Sequence, residues 1–271
     1  ADLPSFVRMG PTGNAGSGYL GPRYEPFGIE RNGNMPYFTS PYLPAANESR
    51  RNDLLRFMEA EHKKENSADA YESHRVAKER AWRLLKAKSL FDTTKEWPKH
   101  QELYGASDFG RGCFLARKLT EAGVPFVEIG QENYDSHADN FVCHKANMQI
   151  LDPAWSGLLI DLERTGQLQN TLVVWMGEVG RTPQINNRAG RDHFIRGWTI
   201  VLAGGGIKGG VVYGSTDADG RDVATNPVSE GDLFATIYTA LGVNPRTKHF
   251  VGTRPIWATP EGSKPIKDLL L

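Results

Sequence analysis

The sequence of 271 residues lacks several features that would have set its class at once. Its only two cysteines are Cys113 and Cys143. Two cannot build a disulfide framework, although they permit one bridge, and their spacing fits no metal motif. Phe141-Val142-Cys143-His144 opens a helix, so a buried free thiol is the simpler expectation at Cys143; the redox compartment stays open. There is no excess of charge of either sign: 32 basic residues balance 32 acidic ones. A neutral chain sets up no long-range field to gather nucleic acid or anionic lipid. No run approaches the roughly 18 apolar residues of a membrane helix. No basic-then-apolar targeting segment is present either. The chain opens Ala-Asp-Leu-Pro, and the expectation is a processed protein or a piece of a longer one. Two signatures of catalysis are missing too. Gly204-Gly205-Gly206-Ile207-Lys208-Gly209-Gly210 lacks the Gly-Lys-Ser/Thr ending of a phosphate loop and runs into no helix, so it reads as a tight connection toward Val211–Gly214. No Gly-x-Ser-x-Gly elbow occurs.

What is present is ordinary for a globular chain, with 39% apolar and 24% charged residues. The length suits one α/β fold. Glycine and proline cluster at the start: residues 1–44 hold seven of each, and no helical or alternating period survives there. Ten aromatic or branched aliphatic residues from Phe6 to Tyr42 make this stretch too hydrophobic for a disordered linker. Residues 1–47 are therefore expected to be an extended arm, docked on a surface outside this chain. Residues 48–102 differ, with 13 basic and 11 acidic side chains. Leu54, Leu55, Met58, Ala70, Ala77, Ala81, Leu84 and Leu85 recur at helical spacing, which predicts a charged helical insertion with a solvated face. His62, His74 and His100 fall there and read as surface residues.

Residues 103–271 read as an α/β domain. Helices are expected over 109–122, closed by Gly123, over 141–164, kinked or divided at Pro153, and over 232–241 with Ser229 as N-cap. Strands are expected over 124–130, 171–176 and 198–203. Helices between apolar strands predict a mainly parallel sheet flanked by helices. Ligands of such sheets bind past the carboxyl ends of the strands. Past the first strand lie Asp135, His137 and Asp139; past the second lie Glu178 and Arg181, and then Arg191, Asp192 and His193. Carboxylate and imidazole at three loops suit a divalent ion: zinc, or with more carboxylate calcium, magnesium or manganese. Bland roles compete. Asp135 and Asp139 suit helix caps, His137 suits orienting its own loop, and Glu178 suits a structural pair with Arg181 or Arg191. His249 follows an apparent surface turn and carries little weight.

Tyr134-Asp135-Ser136-His137 with Asn140-Phe141, Gly177-Glu178-Val179-Gly180-Arg181-Thr182-Pro183, Ala189-Gly190-Arg191-Asp192-His193 and Leu202-Ala203-Gly204-Gly205-Gly206 resemble the bacterial "domain of unknown function 1501" proteins. Asp217, Pro227 and Asp232–Tyr238 continue the likeness. It implies kinship with the alkaline phosphatase and sulfatase superfamily, and hence an alkaline phosphatase-like fold, one or two divalent metals and hydrolysis of phosphate or sulfate esters. On it, Asp135, His137, Glu178, Asp192 and His193 are the expected metal ligands, and Arg181 and Arg191 the substrate-binding residues. Val179 stands where relatives carry a His. The superfamily's nucleophile comes from an N-terminal segment, and none of Ser5, Thr12, Ser17, Thr39 and Ser40 lies in a strand-to-helix turn. The resemblance therefore implies a C-terminal portion completed by a missing segment or partner chain, and an exported location. The alternative is a non-catalytic structural or binding subunit of a larger assembly.

Overall fold

The computed structural model of the protein describes residues 3–11, 16–21, 24–34 and 87–271, with positions 50, 51, 53–55, 57, 58, 75 and 76 between them. The chain divides into two compact units, Ala1–Gln131 and Glu132–Leu271. Most of the predicted charged insertion, with His62 and His74, lies outside the described residues.

The first unit is built on a parallel sheet in the order β2-β1-β3, from β1 (Phe6–Met9), β2 (Phe27–Ile29) and β3 (Phe126–Ile129). Val7 pairs with Phe27 on one side and with Val127 on the other. The longest described helical runs of this unit include α1 (Lys88–Phe91), α2 (Trp97–Tyr104) and α3 (Asp108–Glu121). Ser107 caps α3, its Oγ accepting from Gly110 N at 3.0 Å. Val7, Met9, Ile29, Phe91, Leu115, Ala116, Leu119 and Val124 close into one core. This corrects the expectation for the first 44 residues. Two stretches of the arm are core strands of this chain, because alternate residues Val7 and Met9 bury fully, and each such side chain contributes about 1.5–3 kcal/mol. His100 is also no plain surface residue; it stacks on Phe114 with ring centroids 4.3 Å apart.

In the second unit, α4 (Asn140–Arg164) runs unbroken through Pro153, so the expected division does not occur. Strands β4 (Leu172–Trp175) and β7 (Val201–Gly204) pair antiparallel, Leu172 opposite Gly204 and Trp175 opposite Val201. The prediction of a mainly parallel sheet is corrected here. The segment between them holds no helix for a crossover, only the two-residue strands β5 (Gly180–Arg181) and β6 (His193–Phe194), themselves antiparallel. Two further antiparallel pairs follow, β8 (Ser215–Thr216) with β9 (Val223–Thr225), and β10 (Lys248–Val251) with β11 (Arg254–Trp257). Between those pairs, α5 (Glu230–Ala240) is capped by Ser229, whose Oγ accepts from Asp232 N at 3.0 Å. The architecture is thus mixed α/β with a small parallel sheet. The glycine run after β7 packs on the chain's end: Lys208 N donates to Leu269 O and Leu271 N to Gly206 O. Gly206 sits at φ 76°, and a Cβ there would lie 2.6 Å from the Ala240 carbonyl oxygen. No described helix is long and apolar enough to cross a membrane.

Candidate metal centre

The centre is assembled by two stretches of the second unit, residues 134–140 before and into α4, and the β5–β6 hairpin. The hairpin loop folds around Asn186. Its Oδ1 accepts from Arg188 N and Gly190 N, both at 2.9 Å, and its Nδ2 donates to His137 O and Asp192 Oδ1, both at 3.1 Å. Backbone bonds complete the seam: Asp139 N to Arg188 O, Asn140 N to Ala189 O and Arg191 N to Ser136 O. Gly190 is obligatory at this crossing. A Cβ there would stand 2.1 Å from the carbonyl carbon and oxygen of His137.

This seam brings Asp135, His137 and His193 together, with one ligand atom from each lying within 4.8 Å of the others. Asp135 Oδ1 is 3.0 Å from His137 Nε2 and 2.9 Å from His193 Nε2. The two imidazole rings tilt by 30° with centroids 5.0 Å apart. The predicted residues divide into distinct roles. Glu178 Oε1 stands 3.5 Å from His193 Nε2, at the margin of the triad. Asp192 is not beside the other ligand atoms; its Oδ1 is 3.0 Å from His137 Nδ1. With its proton on Nδ1, His137 would donate to that carboxylate and leave the Nε2 lone pair for an ion, the arrangement in which an outer carboxylate orients a ligating histidine. Arg181, opposite His193 in the hairpin, places Nη1 2.7 Å from Asp135 Oδ1. That contact is one of charge and proximity, since no directed hydrogen bond takes up the buried Nη1. Arg191 is turned to structure: its Nη1 donates to the carbonyls of Thr182 and Pro183, and its guanidinium lies over Phe141. Neither bland capping role holds. Asp139 occupies the N-cap position of α4 in a left-handed conformation without a side-chain cap bond, and the Asp135 carboxylate is spent on the centre. Exposed His249 sits on β10, outside the triad.

The electrostatics follow from these contacts. Hydrogen bonding from His193, then the close positive charge of Arg181, holds the Asp135 carboxyl below its ordinary value of 3.8. His137, then Asn186, does the same for Asp192. Behind the triad, His144 Nε2 lies 3.2 Å from Ser136 Oγ, which donates to Asn140 Oδ1 at 2.8 Å. Burial, then the charges of Arg181 and Arg191, disfavours protonation of His144. Burial raises the Tyr134 hydroxyl to about 12. Both cysteines are free, Cys113 buried and Cys143 only partly so, which corrects the expectation of a buried thiol at 143. The residues that sequence reasoning missed are Asn186 and Thr182, whose Oγ1 accepts from Asp192 N at 3.1 Å. The signal was available for Asn186 in Asn186-Asn187-Arg188-Ala189-Gly190, a run suited to an Asx turn.

Two imidazole nitrogens and a carboxylate make a donor set that could hold a metal ion. A family model described as "Protein of unknown function (DUF1501)" matches residues 1–270. No curated protein and no solved structure matches the chain.

Proposed function

Starting from a chain that belongs to the DUF1501 family, we propose that it is a metal-dependent hydrolase of phosphate or sulfate esters, with Asp135, His137 and His193 holding the ion. The observation that carries this reading is the convergence of those three ligand atoms from two separate loops, with His137 fixed through Nδ1 by Asp192. Two nitrogens with one or two oxygens suit zinc better than calcium or magnesium, which take oxygen ligands. When bound, such an ion supplies Lewis-acid polarisation and lowers the pKa of the attacking group. The protein's own groups do the rest. Asp192 and Asn186 hold the tautomer and orientation of His137. Arg181 offers a guanidinium to an anionic ester. Glu178, exposed beside His193, is placed to take or give a proton. Kinship with the alkaline phosphatase and sulfatase superfamily, in which the nucleophile comes from a further segment or partner and the protein is exported, belongs to the same proposal.

A second reading has its own support. Asp135 is already neutralised by Arg181, and Ser136, the hydroxyl within the ligand segment, is buried and bonded to Asn140. On that reading the chain is a binding subunit that keeps the fold without chemistry. The deciding assay is hydrolysis of an aryl phosphate and an aryl sulfate by the zinc-loaded protein, its chelated form and His193→Ala. Turnover lost in the last two supports the hydrolase. Zinc binding without turnover, both in this chain and in a preparation of the full-length polypeptide, supports the binding subunit.

A further inference from the structure

We propose that Arg181 and the divalent ion compete for the same carboxylate oxygen, so that metal loading frees the guanidinium for an oxyanion and the two ligands reinforce each other's binding. This rests on the metal-centre reading and adds a coupling to it.

Three groups crowd onto Asp135 Oδ1: His137 Nε2 at 3.0 Å, His193 Nε2 at 2.9 Å and Arg181 Nη1 at 2.7 Å. Two of them are the other members of the triad. The third is a fixed cation on the oxygen that a metal ion would take. A dication on that oxygen repels a guanidinium held there, and water screens the repulsion only from the open Asp135 side. The Arg181 side chain is only 16% exposed, against 63% for Asp135. The hairpin register keeps Arg181 directly opposite His193, so an arginine that lets go of Asp135 stays at the rim of the triad. Nη1 is buried and, beyond its ion pair with Asp135, makes no directed hydrogen bond. A tetrahedral oxyanion is the acceptor that a guanidinium fork matches best. Because coupling of equilibrium binding is reciprocal, an oxyanion that captures Arg181 removes the metal's competitor and tightens metal binding by the same factor.

The test is calorimetric titration of zinc into the full chain, without and with inorganic sulfate, for wild type, Arg181→Gln and Arg181→Lys. Sulfate is expected to tighten zinc binding to wild type roughly tenfold, within the usual range of site-to-site coupling. Arg181→Gln is expected to bind zinc about tenfold more tightly than wild type in sulfate-free buffer and to lose the sulfate effect. Arg181→Lys, which keeps the charge, stays near wild type in that buffer. Zinc affinity in wild type that sulfate does not change overturns the proposal and leaves the metal centre standing. So does an Arg181→Gln protein that binds zinc no more tightly than wild type, or one that keeps the full sulfate effect. Absence of zinc binding in wild type removes the metal-centre reading itself and this coupling with it. The wild-type arm needs no variant, so a poorly folding substitution does not spare the proposal.

Discussion

Asp192 shows how much a residue's role depends on which atom it meets. In the sequence it stands beside His193 and reads as a direct ligand. In the structure it serves Nδ1 of His137 from the outside. Removing such an outer partner typically weakens metal binding 10–100-fold. Asp192→Asn is accordingly expected to lower zinc affinity by that factor in a calorimetric titration, while the protein stays folded by circular dichroism. The acid side gives an independent check. Asp135 and Asp192 both titrate below 3.8 in the folded chain. Depressed carboxylates contribute stability that is complete above the unfolded value and is lost as pH falls through the lower folded one. Thermal melts from pH 5 to pH 2 should show this loss in wild type and a smaller one in Asp192→Asn. The triad itself was legible, because acidic and imidazole side chains just past apolar strands stand out. The placement of Asp192 behind His137, and the turning of Arg191 onto two carbonyls, were not, because spacing carries no information about side-chain direction.

The β5–β6 hairpin is the element on which the centre depends. Each strand has two residues, too few to stabilise themselves, and the seam around Asn186 and Gly190 holds them in register. Gly190→Ala forces a Cβ into the backbone of His137. We expect a loss of about 1–3 kcal/mol in stability, the usual scale for overpacking. A drop in zinc affinity accompanies it, because the same shift moves His137 away from His193; chemical denaturation and titration on one preparation measure both. Sequence periodicity found the longer elements, including α3, α4, α5 and both apolar strands of the second unit. It missed β1 and β2, since Phe6-Val7-Arg8-Met9 and Phe27-Gly28-Ile29 are shorter than any period can reveal. It also misjudged the pairing of β4 with β7, because direction is set by the connection, here a helix-free loop.

Across the whole molecule, the two units carry different burdens. The first holds the parallel sheet and a core that includes Leu115 and Leu119. The second holds every group of the centre, from Asp135 to His193. Leu119 is fully buried. Leu119→Ala is expected to cost about 2–5 kcal/mol of stability. Zinc affinity at a temperature where the variant is folded should stay within about twofold of wild type, since every ligand lies in the second unit; a larger change would mean that the centre depends on more than its own unit. The most direct measurement of the central claim is an anomalous difference map, collected at the zinc edge from crystals of the full chain grown with zinc. The account predicts a peak about 2.0–2.2 Å from one oxygen of Asp135 and from Nε2 of His137 and His193. Full zinc occupancy elsewhere, or no peak among these three atoms, would contradict it.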